Sequence, residues 1–404
     1  MRKHRNDKII AILTFLLMGV GLIVIYAIGP MRANFMNAAY GLNYSNTDFF
    51  RHQLISVVMA IIAFFVAYKI PYERTRKFAK SLMLAGLIAC GLLMILSWTG
   101  SSLAKCELGA CRWFRLGGLA SFQPAELLKL GLVMYLAQLM AERKAEGKLE
   151  NSSDFWLPFA VMAGLSAIFV VIVQKDLGTG VAIVAIVLAM LLMSGVSWGK
   201  FLIVLAILAA GGVMAIVSSP HRLERLTTFG GGGDTDDSYH IDNAMIAIGT
   251  GGLMGVGVGN SVQATGYLPE SINDSVFAVM GETYGFFGLM LVVISFTVLL
   301  LRLLKTAGGL ADQEQSLVVI GVFAWVMAHV VVNIAAMTGL VPLTGITLPL
   351  LSYGGTSMLF IAAALGLSLQ LSCYTGREVI KNNESISSRR GFGRTHHASR
   401  IGSA

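Results

Sequence analysis

Charged residues are scarce in this chain of 404 residues. They form 13% of the sequence, whereas soluble proteins average about 25%. Hydrophobic residues form 55%, so most of the chain cannot face water, and no polar stretch is long enough for a soluble domain. These shortages exclude a soluble globular protein and predict a membrane protein.

Common catalytic signatures are missing as well. The sequence has no Walker A pattern, no Gly-x-Ser-x-Gly and no paired His/Cys spacing for a metal. Charged side chains at membrane depth therefore become the main candidates for chemistry, because they are costly to bury and are functional candidates by default.

Cysteine is rare, with four residues in the chain. Cys90 and Cys373 fall in or near apolar runs and are expected to pack as small hydrophobic side chains. Cys106 and Cys111 lie five residues apart in one loop. That spacing fits either a disulfide that closes a small ring or two free thiols.

Apolar runs long enough to cross the roughly 30 Å hydrocarbon core recur along the whole chain. They predict an all-α, polytopic membrane protein with about ten spans. The first follows a basic stretch but lacks a small-residue cleavage site, so we expect it to remain as a span. The predicted spans are Ile9 to Gly29, Gln53 to Tyr68, Leu82 to Trp98, Phe122 to Ala141, Trp156 to Val173, Leu177 to Ser194, Phe201 to Val217, Val276 to Leu301, Ser316 to Met337, and Ser357 to Ser372.

Lys and Arg concentrate in alternate connections, as in cytoplasmic loops. With an even number of spans, both termini are then predicted to be cytoplasmic, and loops 30–52, 100–121, 174–176, 218–275 and 338–356 to face outward. The net charge of +8 is explained by anionic lipid at the membrane edge, and nucleic-acid binding is not expected. The basic clusters are Arg2, Lys3, Arg5 and Lys8; Arg74, Arg76, Lys77 and Lys80; Arg143, Lys144 and Lys148; Lys200; Arg302 and Lys305; and the tail from Arg377 to Arg400.

The predicted organisation is a single transmembrane domain over residues 1–376 and a basic, disordered cytoplasmic tail over 377–404. The longest extracytoplasmic loop, 218–275, separates the seventh and eighth spans. Within it, the segment NAMIAIGTGGLM at 243–254 is too short to cross a bilayer and too apolar to float in water. A re-entrant or interfacial helix is predicted there, followed by irregular GVGVGN, and such backbone at membrane depth implies a surrounding cavity.

Two carboxylates, Glu270 and Asp274, stand out just ahead of the eighth span. If the helix begins near Pro269, their spacing places both on one face, with Glu282 two turns further along. Neighbouring carboxylates in a partly desolvated site raise each other's proton affinity, which makes one of them a usable base. The alternative is that both acids cap the helix and complement its dipole.

Three further charged residues lie at predicted membrane depth. Glu126 and Lys129 are three residues apart on one helix face, and they form either a structural ion pair or part of a substrate site. Asp176, in QKDLGTG, either belongs to the same site or caps the sixth span, with Lys175 as a possible ion-pair partner.

Outward-facing cations favour an anionic ligand such as phosphate or pyrophosphate. The last outward loop, VPLTGITLPLLSYGGTS, is rich in Pro, Gly and hydroxyl groups. It forms either a plain turn or a second irregular region that lines the same cavity. The cations are Arg112, Arg115, Lys129, Arg222 and Arg225.

Five motifs, given below in chain order, together resemble those of the shape, elongation, division and sporulation family, the RodA/FtsW glycosyltransferases that polymerise peptidoglycan. The resemblance spans nearly the whole membrane portion, and YLPE with RLERLTTF leans toward the FtsW division branch. Departures from the usual pattern are Lys175, Cys111, Asp242-Asn243 and His329; Cys111 weakens the case for a paired-arginine phosphate clamp. The motifs are GACRWFRLGGLASFQPAELLKL, QKDLGTG, AIGTGGLMGVGVGN, YLPESINDSVFAVMGE and PLTGITLPLLSYGGTS.

The resemblance implies an inverting transferase that polymerises lipid II at the outer face of the bacterial cytoplasmic membrane. It implies that Asp274 is the essential carboxylate and general base, and that the substrate site includes Arg112, Glu126, Lys129, Asp176 and Glu270. A class B penicillin-binding protein is the implied partner. A divalent cation, Mg²⁺ or Mn²⁺, is a further hypothesis without a visible ligand set. The rival interpretations are a flippase for lipid-linked precursors and a non-catalytic scaffold.

Overall fold

Ten helices long and apolar enough to cross a membrane dominate the computed structural model, which describes residues 6–107, 110–115, 117, 121–150, 153–219, 223 and 236–375. Their number confirms the predicted polytopic all-α class. Arg222, Arg225 and the predicted tail 377–404 lie outside the described residues.

Most of the spanning helices are joined by short connections, one connection contains a small sheet, and the longest runs over residues 218–275. A π-helix, Ile168–Val173, continues the fifth spanning helix, and a 3₁₀ turn covers Gln263–Thr265. The helices are α1 Lys8–Tyr40, α2 Asp48–Lys69, α3 Tyr72–Lys77, α4 Ala79–Trp98, α5 Pro124–Ala145, α6 Ser153–Ala167, α7 Leu177–Ser194, α8 Trp198–Val217, α9 Asp236–Thr250, α10 Val276–Gly308, α11 Gln313–Met337 and α12 Gly355–Ser372, and the antiparallel strands, in the order β1-β2-β3, are β1 Ala104–Glu107, β2 Ala110–Arg115 and β3 Ser121–Phe122.

The helices differ in how much of their surface other helices cover. α5 and α11 lie at the centre, where α11 contacts α5, α7 and α10, and most of their residues are buried. α2 packs along α12, and α4 packs along α5. α8 has no buried residue. The charged candidates on α5 therefore lie in the interior of the bundle.

α1 is longer than predicted. The sequence suggested an end at Gly29 because Pro30 follows, but Pro30 lies inside the helix, which continues to Tyr40. At 1.5 Å per residue its 33 residues measure about 50 Å, beyond the roughly 30 Å hydrocarbon core. The predicted outward loop 30–52 is correspondingly reduced to the connection 41–47.

One end of the bundle gathers the basic connections. We call it the basic end, and it comprises residues 6–7, 70–78, 146–150, 195–197 and 309–312. Arg76 Nε lies 2.8 Å from Glu314 Oε2, and Tyr72 donates to the same carboxylate at 2.8 Å. Asp7 pairs with Arg302 at 3.7 Å. The opposite end, called the site end, carries the predicted outward loops.

α10 is broken near the site end, at Gly285, where φ is 67° and ψ is −166°. The backbone amides of Val256 and Gly257 donate to the carbonyls of Glu282 and Thr283 at 2.8 and 3.1 Å. A Cβ on Gly255 would lie 2.3 Å from the Thr283 oxygen, so this pairing requires glycine. The irregular glycine-rich backbone predicted after residue 254 is confirmed, and its amides find hydrogen-bond partners on α10, as backbone at the predicted membrane depth requires.

α9 confirms the short helix predicted from Asn243, although it begins earlier, at Asp236, and ends at Thr250. Its 15 residues span about 22 Å, too short to cross the membrane. It packs against α10. It therefore brings the long loop onto the helix that follows Asp274.

Candidate active site

Asp274 lies in a turn, and the predicted helical start near Pro269 is wrong. α10 begins at Val276, and Glu270 has a left-handed backbone with φ 48°. The amides of Asn273 and Ser275 donate to the Glu270 carbonyl at 2.9 and 3.2 Å. The two acids are therefore brought together by a closed turn and do not share a helix face.

Glu282 does not join them, which corrects the predicted row of three acids. Its buried carboxylate accepts the hydroxyl of Ser261 and the amide of Val262, the latter at 2.9 Å. A helix from Pro269 would have aligned all three acids, but the turn breaks that register. Glu282 instead anchors the segment that leads from α9 to the 3₁₀ turn.

The environments of the two carboxylates differ. Asp274 is buried, whereas Glu270 is exposed. Burial, followed by the nearby charge of Glu270, raises the pKa of Asp274 to about 7 from its ordinary value of 3.8. This is the range in which a carboxylate can both hold and release a proton near neutral pH.

Asn333 of α11 joins the Asp274 turn to the last loop of the site end. Its side-chain amide donates to the Asp274 carbonyl and to the Ile346 carbonyl, both at 2.7 Å. The Tyr353 amide donates to the Ile272 carbonyl at 2.8 Å. Residues 341–354 contain no helix or strand. The irregular region predicted there is confirmed beside the acidic turn.

Asp176 caps α7, which is one of the two roles predicted for it. Its carboxylate accepts the amide of Thr179 at 3.0 Å and the Thr179 hydroxyl at 2.8 Å. Gln123 donates to the same group at 3.2 Å. These three donors occupy the carboxylate, so the structure favours the capping role.

Arg112 reaches the connection just before this cap. Its guanidinium donates to the carbonyls of Gln174 and Lys175 at 3.3 and 2.9 Å. Arg112 lies on β2, directly after Cys111, and the structure pairs Cys111 with Cys106 in a disulfide across the β1-β2 hairpin. Arg115 is exposed at the end of β2. The hairpin thus places the Arg112 guanidinium next to the segment that carries Asp176.

Glu126 and Lys129 form a fully buried pair, 2.8 Å apart. Lys129 Nζ also lies 3.1 Å from His329 Nε2 and 4.8 Å from the centre of the Trp325 ring. Because an ammonium only donates, His329 accepts through Nε2 and can donate through Nδ1 to the Thr347 carbonyl, 3.4 Å away. The geometry favours the structural ion pair, and direct substrate binding stays a prediction.

The last loop connects these groups into one network. α7 meets it where a Cβ on Gly178 would lie 2.8 Å from the Thr344 oxygen. Ile346 is held by Asn333, and Thr347 faces His329. Arg112, Asp176, Lys129 and Asp274 therefore belong to neighbouring parts of one assembly at the site end.

The described residues offer few ligands for a divalent cation. In the described ranges, no three His, Cys, Asp or Glu side chains come together as a metal site. Mg²⁺ with a phosphate ligand uses as few as one or two carboxylates, and Glu270 and Asp274 are two carboxylates in one turn. The residues present do not make a resident metal site on their own.

Sequence reasoning underrated several polar residues at the site end. His329 was noted only as a departure from the motif pattern, and Asn333, His240, Ser275 and Gln123 carried no assigned role. The available signal was polarity inside apolar segments, since buried polar groups need partners. Their partners are distant in sequence, as Asn333 and Asp274 are 59 positions apart.

The fold and the site define a multi-pass helical membrane protein with a buried carboxylate of raised pKa at one end. The chain belongs to the family described as cell cycle protein, which groups FtsW, RodA and SpoVE, because the family model matches residues 7–376.

Similar proteins match nearly the whole chain. It is 32% identical to the stage V sporulation protein E of Bacillus subtilis (strain 168), over 93% of this chain and 99% of that protein. It is 30% identical to the probable peptidoglycan glycosyltransferase FtsW of Escherichia coli O6:H1, over 92% and 87%. The FtsW relatives support the predicted lean toward that branch.

Solved structures share the fold. A chain from a peptidoglycan synthase complex, solved to study how polymerisation and crosslinking are coordinated, superposes with a TM-score of 0.69 at 24% identity, covering 91% of this chain and 97% of that one. The rod shape determining protein RodA of Thermus thermophilus gives 0.65 at 22% identity, covering 92% and 98%. At these identities the likeness establishes architecture.

Proposed function

We propose that the protein is a peptidoglycan glycosyltransferase that polymerises lipid II, with Asp274 as general base. The observation that carries the proposal is the buried Asp274 carboxylate, with its pKa raised to about 7, in a turn held by Asn333. The names of the FtsW relatives support the reaction class. The basic end supports a bacterial cytoplasmic membrane protein with cytoplasmic termini and an outward site end.

The proposed step is an inverting displacement. The 4-hydroxyl oxygen of an incoming lipid II attacks the anomeric carbon of the growing strand and forms the new glycosidic bond. Asp274 takes the hydroxyl proton, and the bond to the lipid pyrophosphate breaks, so that the pyrophosphate leaves with the electron pair. Membrane-level placement lets the lipid chain stay in the bilayer while the sugars react.

Positive groups are needed where charge develops on the leaving pyrophosphate. Arg112 is the best-placed candidate, since it is only half-buried and lies beside α7. A divalent cation would supply the same charge stabilisation, but the described residues do not form a site for it, so no step is assigned to one. The proton transfer to Asp274 does not depend on it.

We further propose a class B penicillin-binding protein as partner, which the synthase-complex neighbour supports. The decisive experiment uses the purified protein with that partner, lipid II and Mg²⁺ or Mn²⁺, scored for glycan polymer. Asp274→Ala should lower the rate by at least about a hundredfold, the usual contribution of a general base.

Asp48→Ala is the matched control, because Asp48 is a carboxylate at the same end of the bundle that only accepts the Ser45 amide, at 2.8 Å. It should retain activity. Full activity of folded Asp274→Ala would overturn the mechanism. The break in α10 is the feature that favours a transporter, so lipid II transport without polymer would assign that role instead, and neither activity would favour a scaffold.

A further inference from the structure

We propose that His240 is a positioning residue for Asp274 and acts through the hydroxyl of Ser275. The inference rests on the proposed function and deepens it. His240 belongs to α9, and its Nε2 lies 2.6 Å from Ser275 Oγ. Both side chains are buried, and they are 35 positions apart in the sequence.

The hydroxyl of Ser275 has a single proton and several neighbours. Its oxygen lies 2.9 Å from the Pro269 carbonyl and 3.5 Å from Asp274 Oδ1. A carbonyl and an ionised carboxylate only accept hydrogen bonds, so the proton goes to the closer group, Pro269. His240 must then present Nε2–H to the hydroxyl oxygen, because that oxygen has no second proton to give.

This arrangement closes the turn that carries both acids. The hydrogen bond from Ser275 to Pro269 spans the turn from one end to the other, outside Glu270 and Asp274. Without the donor from His240, the Ser275 hydroxyl is free to rotate toward Asp274 Oδ1. Its hydrogen bond to the Pro269 carbonyl then competes with a hydrogen bond to the Asp274 carboxylate. His240 therefore selects the hydroxyl orientation that keeps the turn closed.

α9 then has a role in holding the Asp274 turn. Asn333 holds the Asp274 turn from α11 through a backbone carbonyl. His240 holds it from α9, through the side chain of Ser275. The placement of α9 against α10 is thereby linked to the orientation of the proposed base, and a shift of about 1 Å in such a group is enough to cost a hundredfold in rate.

The test measures lipid II polymerisation by the full protein with its partner, for His240→Ala, His240→Gln, Ser275→Ala and the double variant. His240→Ala should lower kcat tenfold to a hundredfold, as loss of a supporting hydrogen bond does, with KM within about twofold. Glutamine keeps an N–H donor at similar reach, so His240→Gln should restore kcat to within about threefold of the parent.

The double variant separates a shared pathway from two independent defects. If His240 acts through Ser275, His240→Ala adds no further loss to Ser275→Ala. Asn243→Ala is the matched control, since Asn243 is equally buried on α9 and donates only to the Tyr239 carbonyl one turn away, at 2.7 Å. It should leave kcat unchanged.

Hydrogen exchange gives a readout that needs no activity. The amides of Asn273 and Ser275 should lose protection in His240→Ala and keep it in His240→Gln. Unchanged exchange and kcat in His240→Ala, a glutamine variant as impaired as alanine, or additive losses would each overturn the proposal. If the parent and Asp274→Ala both lack polymer while exchange changes as expected, the proposed function fails and the positioning role stands.

Discussion

Asn333 holds the backbone of Asp274, because its side-chain amide donates to the Asp274 carbonyl at 2.7 Å. The same nitrogen donates to Ile346 on the last loop. Together with the Tyr353 amide, which donates to the Ile272 carbonyl, the Asn333 amide joins two segments that contain no helix or strand.

Asn333→Asp should lower the polymerisation rate while leaving the protein folded. The substitution keeps the shape but replaces an N–H₂ donor with an oxygen that faces two carbonyl oxygens, and each buried carbonyl left unsatisfied costs about 1–3 kcal/mol. We expect a loss of at least about tenfold in polymerisation rate. Ser295→Ala, which removes a buried hydroxyl that bonds only its own helix, is the control. Wild-type activity in Asn333→Asp would show that the contact is dispensable.

The pH dependence of polymerisation should report Asp274. A general base acts in its ionised form, so activity is lost as pH falls through its pKa of about 7. Glu270→Gln removes the neighbouring charge that raises this pKa, so the acidic limb should move to lower pH. Burial, the larger cause, should keep it above the ordinary 3.8. Initial rates in acidic to mildly alkaline buffers give the pH at which the acidic limb lies. The control variant Asp48→Asn should leave that pH unchanged.

Gly255→Ala and Gly259→Ala should separate backbone strain from steric blockage. Both glycines have left-handed backbones, with φ 80° and 88°, but only Gly255 is packed against the broken turn of α10. Gly259→Ala should cost about 1–2 kcal/mol from the left-handed conformation. Gly255→Ala should cost a further 1–3 kcal/mol or so from overpacking. Thermal unfolding in detergent measures both, and equal shifts would contradict the close pairing of residues 252–257 with α10.

The ion pair of Glu126 and Lys129 should behave as structural support. Lys129→Met leaves a buried carboxylate without its partner, which costs about 3–5 kcal/mol. Adding Glu126→Gln removes that charge and should recover most of the stability, with activity following. Thermal unfolding and polymer assays on the single and double variants test this. A double variant that is stable but inactive would assign the pair to substrate binding, as the resemblance implies.

Much of the architecture was predictable from local composition. Ten apolar runs predicted ten spanning helices, since hydropathy depends only on consecutive residues. The irregular last loop and the glycine-rich segment after α9 were predictable from their Pro and Gly content. The end of α1 was not, because Pro30 is accommodated inside the helix.

The acidic turn shows where local reasoning fails. The position of Glu270 and Asp274 just ahead of a spanning helix was predictable from the sequence, as was the rise in proton affinity that desolvation there would cause. Their placement in a turn, and the binding of Glu282 to Ser261 and Val262, became visible only in the folded chain. The reason is physical: the contacts with Asn333 and His240 come from segments 59 and 35 positions away, and no local propensity encodes a hydrogen bond of that range.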